Sequence, residues 1–170
     1  MVEVQIMVNE QTIRQGDVFK IIEPLWWTVD IYQSKAIYDH GLKQFSENQK
    51  YVFAIRWYLA EVNNGAHHQF FSNATGIVWQ DALQGLQKVE LPDSYEILKE
   101  AIDGLGGNPS FNRQERKEQL AKSGVDFENL DHRFYITDKI MGIEARLLSF
   151  IEENKTDFYF EGQITKPKKA

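Results

Sequence analysis

Apolar residues recur along most of the chain at the three-and-four spacing of helices that face a core. In "GDVFKIIEPLWWTVDIY", Val18, Ile21, Ile22 and Leu25 fall on one stripe behind Asp17, a suitable N-cap. Pro24 is expected to kink or end that helix. Ser34 caps a second helix, "SKAIYDHGLKQF", which Gly41 weakens. In "SENQKYVFAIRWYLAEVNNG", Ser46 and Gln49 form a capping box, and Gly65 stands where a glycine closes a helix. Tyr51, Val52, Phe53, Ile55, Trp57, Tyr58, Leu59 and Val62 leave this helix little polar surface, which sends it through the middle of the domain. "TGIVWQDALQGLQKV" and "PDSYEILKEAIDGLGG" predict two more helices, the second opened by Pro92 and closed by Gly106-Gly107. "NPSFNRQERKEQLAKSG" reads as a helix started by Asn108-Pro109 and stopped by Gly124. "DFENLDHRFY" reads as a short helix or turn, and "DKIMGIEARLLSFIEEN" as the last helix, with Ile140, Ile143, Leu147 and Ile151 in register. The alternation in "VEVQIMV" permits a short N-terminal strand, with nothing obvious for it to pair with. The fold expected is all-α: one mainly helical domain over residues 1–161, then a short basic tail, 162–170.

Composition supports a folded domain, since 42% of the 170 residues are hydrophobic and can fill a core. The absence of cysteine excludes disulfides, thiolate catalysis and Cys-ligated zinc. No apolar run approaches a membrane span and the N-terminus lacks a secretory pattern, so a cytoplasmic protein is expected. There are 19 basic and 25 acidic side chains. Setting aside Lys166, Lys168 and Lys169 of the tail leaves 16 basic ones and a balance of −9 over residues 1–161. Such a surface repels phosphates, so direct nucleic-acid binding is not expected and a basic protein is the better partner.

The densest cluster of chemically capable residues is "EVNNGAHHQFFSNATG", Glu61 to Gly76. As a catalytic site it would use Glu61, Asn64, His68 and Asn73, or join Glu61 and His68 to a distant Asp131 or His132, as in a hydrolase. His67 and His68 diverge by about 100° on a helix and no H-E-x-x-H pattern is present, so neither a metal site nor a cofactor is expected. As a structural junction, Gly65 adopts the left-handed conformation that ends the central helix, with Asn64 also tolerant of it. Asn63, Gln69 and Asn73 bond free backbone groups, Phe70 and Phe71 enter the core, and Asn73 or Thr75 caps the helix starting near Gly76. The junction reading accounts for more of these residues.

The stretch "FAIRWYLAEVNNGAHHQFFSNATGIVW" resembles the hallmark of a bacterial domain family of largely unassigned function. That hallmark is a central helix ending in Glu-Val-x-Asn-Gly-Gly, a His/Gln-Phe-Phe segment, then Asn-x-x-Gly. It maps onto Glu61, Asn63, Asn64, Gly65, His68, Gln69, Phe71, Asn73 and Gly76, with Ala66 where a second glycine is usual. Helical entry into Ala66-His67-His68 would tolerate that departure. The similarity runs from about Asp17 to Tyr135, including "DVFKIIEPLWW", "NPSFNRQERKEQL" and "ENLDHRFY". The family's best-described member is a DNA mimic, an acidic helical dimer that occupies the DNA-binding surface of a helix-turn-helix transcription factor. The resemblance thus implies a non-enzymatic protein with a DNA-binding protein as partner.

A mimic needs carboxylates at phosphate-like intervals, and helix positions i and i+4 rise by about 6 Å. Asp93, Glu96, Glu100 and Asp103 run at spacings of three, four and three, opposite the apolar Ile97, Leu98, Ala101 and Leu105. Asp126, Glu128 and Asp131, and further on Glu152 and Glu153, extend the acidic field. The same stripe is also what an ordinary solvated helix face looks like. Arg113, Arg116, Lys117 and Lys122 make the neighbouring helix basic, which places any mimic surface elsewhere. Trp26 and Trp27 cannot both face one core, which leaves one for a homodimer contact or for covering a neighbouring helix. Three readings stand at this point: a DNA mimic, an adaptor with another partner, and an enzyme using Glu61 and His68.

Overall fold

The helix sent through the middle is α4, Glu47–Ser72, and a computed structural model describing residues 1–168 builds the rest around it. Its Ser46–Gln49 capping box is formed, and Val52, Phe53, Ala54, Ile55, Tyr58 and Val62 are wholly buried. Before it come β1 (Val2–Val8), α1 (Glu10–Arg14), α2 (Val18–Thr28) and α3 (Lys35–Leu42). After it come a 3-10 turn (Ala74–Val78), α5 (Trp79–Lys88), α6 (Pro92–Gly104), α7 (Arg113–Ser123), α8 (Glu128–Met141) and α9 (Ile143–Glu153). A second 3-10 turn, Lys155–Phe158, leads into β2, Phe160–Lys166. α2, α5, α7 and α8 all pack on α4, and α8 also packs on α6. The protein is mainly α-helical, and among the described residues no helix is long and apolar enough to cross a membrane.

Local signals are read correctly where a side chain meets its own backbone. Asp17 caps α2 through Lys20 N, and Ser34 caps α3 through Ile37 N. The predicted stripe of α2 is buried at Val18, Ile21, Ile22 and Leu25. Four boundaries differ from the expectation. α2 continues through Pro24, whose ring is buried; the forfeited bond would have gone to the exposed Lys20. α7 starts behind Asn112, which accepts from Glu115 N, and not at Asn108-Pro109. The segment read as a short helix or turn is the start of a fourteen-residue α8. Gly142, at φ 63°, ends that helix and separates it from α9, so Ile140 faces solvent while Ile143, Leu147 and Ile151 are buried.

The N-terminal strand does have a partner. β1 pairs antiparallel with β2, from Val2 opposite Lys166 to Val8 opposite Phe160. Residues 162–166, expected in a basic tail, therefore belong to a two-stranded sheet, and Lys166 reaches Glu23 of α2 at 3.0 Å. Lys169 lies outside the described residues. Of the tryptophan pair, Trp26 stacks on Trp57 at 4.0 Å between ring centroids, while Trp27 donates its indole N–H to Glu23. Both are half-buried.

Candidate functional site

Two places concentrate polar side chains: a junction in the middle of α4, and the surface around α8. The junction begins where α4 breaks. Gly65 has φ −160° and ψ 26°, and Ala66 has φ 65° and ψ −176° before the helix resumes at His67. The positive φ expected at Gly65 thus falls on Ala66, in a backbone region that is almost the preserve of glycine and costs about 1–3 kcal/mol. Helical entry at Ala66 does not occur. Gly65 is needed for a different reason: a Cβ there would lie 1.8 Å from Gln69 Oε1.

Glu61 spans the break. Its Oε2 accepts from Gln69 Nε2 at 2.9 Å and from Asn73 Nδ2 at 3.0 Å. With its Nδ2 held by Glu61, Asn73 turns Oδ1 toward Arg113 rather than the next turn, Thr75 Oγ1 has no partner among the described residues, and the 3-10 turn carries no side-chain cap. Asn63 and Asn64 are exposed and make no side-chain hydrogen bond among the described residues, because the turn aims them at solvent rather than at free backbone groups. Phe70 and Phe71 are buried, stacked edge to face.

Arg116, expected on a basic surface, is fully buried beneath this junction. Its guanidinium donates to the carbonyls of Phe71 (2.8 Å), Asn73 (2.6 Å), Ser110 (2.8 Å) and Phe111 (3.2 Å). These bonds tie the end of α4, where Phe71 has no helical partner for its carbonyl, to the loop that leads into α7. Gly76 sits against the same group: a Cβ there would lie 2.4 Å from Arg116 Nε. Burial, helped by repulsion from Arg113, lowers the Arg116 pKa to about 10, which leaves it charged at neutral pH. A signal for this was present in the sequence. Leu120 is the only large apolar residue of α7, and Arg116 lies one turn before it on the same face.

His67 is also buried completely. Its Nδ1 lies 2.5 Å and its backbone N 3.0 Å from Asp131 Oδ1, and its Nε2 lies 2.7 Å from the buried Tyr58 hydroxyl. A carboxylate can only accept, so Nδ1 carries the proton and Nε2 accepts from Tyr58. Burial pushes the His67 pKa below its ordinary value, opposed by Asp131, and pushes Tyr58 well above its own. The order Tyr58–His67–Asp131 has the look of a proton relay, yet Tyr58 and His67 have no exposed surface at which to meet a substrate. Sequence reasoning assigned neither Tyr58 nor His67 to a site.

His68, one residue on, is exposed and lines a cleft of about 430 Å³ with Asp126, Glu128, Asp131, His132 and Tyr135. The suggested enzyme sets are brought together only in part: Glu61 and Asn73 meet and His68 shares its cleft with Asp131 and His132, but neither His68 nor Asn64 hydrogen-bonds to Glu61 or Asn73 among the described residues. Among the described residues no group of three His, Asp or Glu side chains is placed to hold a metal ion.

The seven predicted surface acids fall into two groups, one on each side of α8. Asp93, Glu96, Glu100 and Asp103 are all exposed along α6. Arg133 of α8 grips Glu100 with two bonds, at 2.8 and 3.0 Å, and Lys99 pairs with Asp103 at 2.9 Å. The groove between α6 and α8 is walled by Asp93, Glu96 and Glu100 on one side and by Arg133, Ile136 and Thr137 on the other. Across α8, Asp126 and Glu128 stand in the His68 cleft, where Asp131 is tied back to His67. Asp93, Glu96, Asp126 and Glu128 make no ion pair among the described residues.

No solved structure matches this chain. A family model described as DMP19-like protein matches residues 43–154, a span that begins and ends later than the expected Asp17–Tyr135 but holds the whole junction and both acidic groups. On that match, the chain belongs to the DMP19-like protein family.

Proposed function

We propose that the protein is a non-enzymatic binding protein that competes with DNA for the basic surface of a DNA-binding regulator, such as a helix-turn-helix transcription factor. The observation that carries this reading is the set of four carboxylates without ion pairs, Asp93, Glu96, Asp126 and Glu128, standing on both sides of one exposed helix. Membership of the DMP19-like family supports it. The chemistry is substitution. The partner's Arg and Lys side chains, which otherwise hold phosphates, pair with these carboxylates, and the opposite fields speed encounter. Screening by salt weakens such contacts.

The test is a pull-down from the source cell lysate, eluted with a salt gradient and repeated in the presence of duplex DNA. The expected result is a DNA-binding protein that leaves at moderate salt, is displaced by DNA, and is not captured by Asp93→Lys/Glu96→Lys. A partner retained at high salt and indifferent to DNA points to an adaptor and overturns the mimic reading.

A further inference from the structure

Beside the acidic wall of α6, the C-terminal half of α8 presents a short apolar ridge that no element covers among the described residues. Ile136 is 45% exposed and Ile140 74%. Ile136 and Ile140 are one helical turn apart and therefore share a face, and Ile136 continues the wall of the α6–α8 groove. Single exposed isoleucines are ordinary, but an amphipathic helix that only faced water would carry charges along this line.

The charges around the ridge say what covers it. Its acidic margins are Asp93 and Glu96 across the groove and, toward the N-terminal end of α8 about 12 Å along the helix from Ile136, Asp126 and Glu128. Lys139 is the only lysine or arginine of α8 outside an ion pair among the described residues. A second copy of this chain, seated ridge on ridge, would bring two Asp93–Glu96 pairs to one seam with only Lys139 of each α8 to offset them. A basic segment would not. The groove-and-ridge shape matches a helix that puts apolar residues at i, i+3, i+4 and i+7 against Ile136 and Ile140.

We infer that α8 seats one amphipathic basic helix of the partner, its apolar stripe on the Ile136–Ile140 ridge and its Arg and Lys side chains on the two acidic margins. This rests on the proposed acidic docking surface and adds a salt-resistant, apolar share of the affinity.

The test is an NMR titration of the isotope-labelled full chain with a synthetic helical peptide carrying leucines on one face and Lys and Arg on both flanks. A control peptide keeps the charges and replaces leucine by serine. Shifts confined to α6 and α8, at least tenfold weaker binding of the serine peptide, and at least tenfold weaker binding of the leucine peptide by Ile136→Ser/Ile140→Ser are expected. Both isoleucines are exposed, so the variant keeps its melting temperature. If that variant binds as the parent does while Asp93→Lys/Glu96→Lys fails, the acidic surface stands and the ridge is overturned. If both variants bind as the parent does, the acidic surface falls with it. Conversion of a dimer to a monomer by the isoleucine variant, seen by sedimentation velocity, would identify a second copy as the occupant and overturn the inference.

Discussion

The junction in α4 and the surface around α8 are both rich in polar side chains, but they use them in opposite ways. At the junction the groups point at one another. Glu61 holds Gln69 and Asn73, Asp131 holds His67, and Arg116 holds four carbonyls. On the surface, half-paired clusters such as Glu100–Arg133 stand beside carboxylates with no ion pair among the described residues. A dense, unusual stretch of sequence here marks a place where buried backbone has to be satisfied. The surface offered for docking reads as two commonplace amphipathic helices.

If that contrast is sound, changes at the junction cost stability and changes at the surface cost binding. The largest effect is expected for Arg116→Ala, which removes a donor from four carbonyls, only one of which, that of Asn73, keeps another in Gly76 N, and opens a cavity: a loss of about 3–5 kcal/mol, read from urea denaturation. Arg116→Lys should recover little, because one ammonium cannot span the positions a planar guanidinium reaches. A loss below about 1 kcal/mol would mean that water replaces the guanidinium easily and that the junction is not built on it.

His67→Phe should cost about 2–4 kcal/mol, since it strips the buried Tyr58 hydroxyl of its partner and leaves Asp131 only the backbone N–H of residue 67. The same residue sets a pH dependence. The His67 pKa is below its ordinary 6.5 in the fold, so the unfolded chain binds the proton more readily. Its contribution is therefore fully present above about pH 6.5 and is lost as pH falls through the lower folded value. Urea midpoints measured at several pH values should drop on acidification in the parent, and less steeply in His67→Phe. Equal slopes would assign the acid sensitivity to other groups.

A smaller effect at the junction has the opposite sign. Ala66→Gly removes backbone strain of about 1–3 kcal/mol at the cost of about 0.5–1 kcal/mol in chain entropy. The variant should be more stable by about 1 kcal/mol, a rise of about 2–4 °C in melting temperature. A fall would show that Ala66 sits there without strain. By contrast, the docking variants Asp93→Lys/Glu96→Lys should melt within about 0.5 kcal/mol of the parent, because exposed charges contribute little to stability.

Much of the fold was legible because its signals are local. Asp17, Ser34, Ser46 and Gln49 act within three residues of their own backbone, and the stripe of α2 needs only periodicity. Two boundaries are misread for different reasons. Pro24 reads as a breaker although its ring is packed in the core, and Asn108-Pro109 reads as the start of a helix that Asn112 caps locally. The candidate site was legible in composition but not in wiring. Asn73 looked like a cap and is bound to Glu61; Arg116 looked like a surface charge and is the most enclosed cation of α7.

From the sequence alone came the helical content, the caps, the central course of α4 and the acids of α6 and α8, because caps and periodicity depend on neighbours within about one helical turn. The tertiary structure decided the rest. It paired the two ends of the chain in one sheet, joined His67 to Asp131 across 64 residues, and placed Arg133 on Glu100 across 33. It thereby chose which carboxylates are neutralised and which are left for a partner. Such choices follow from how helices pack, and a charge's partner in space leaves no mark on the residues beside it in the chain.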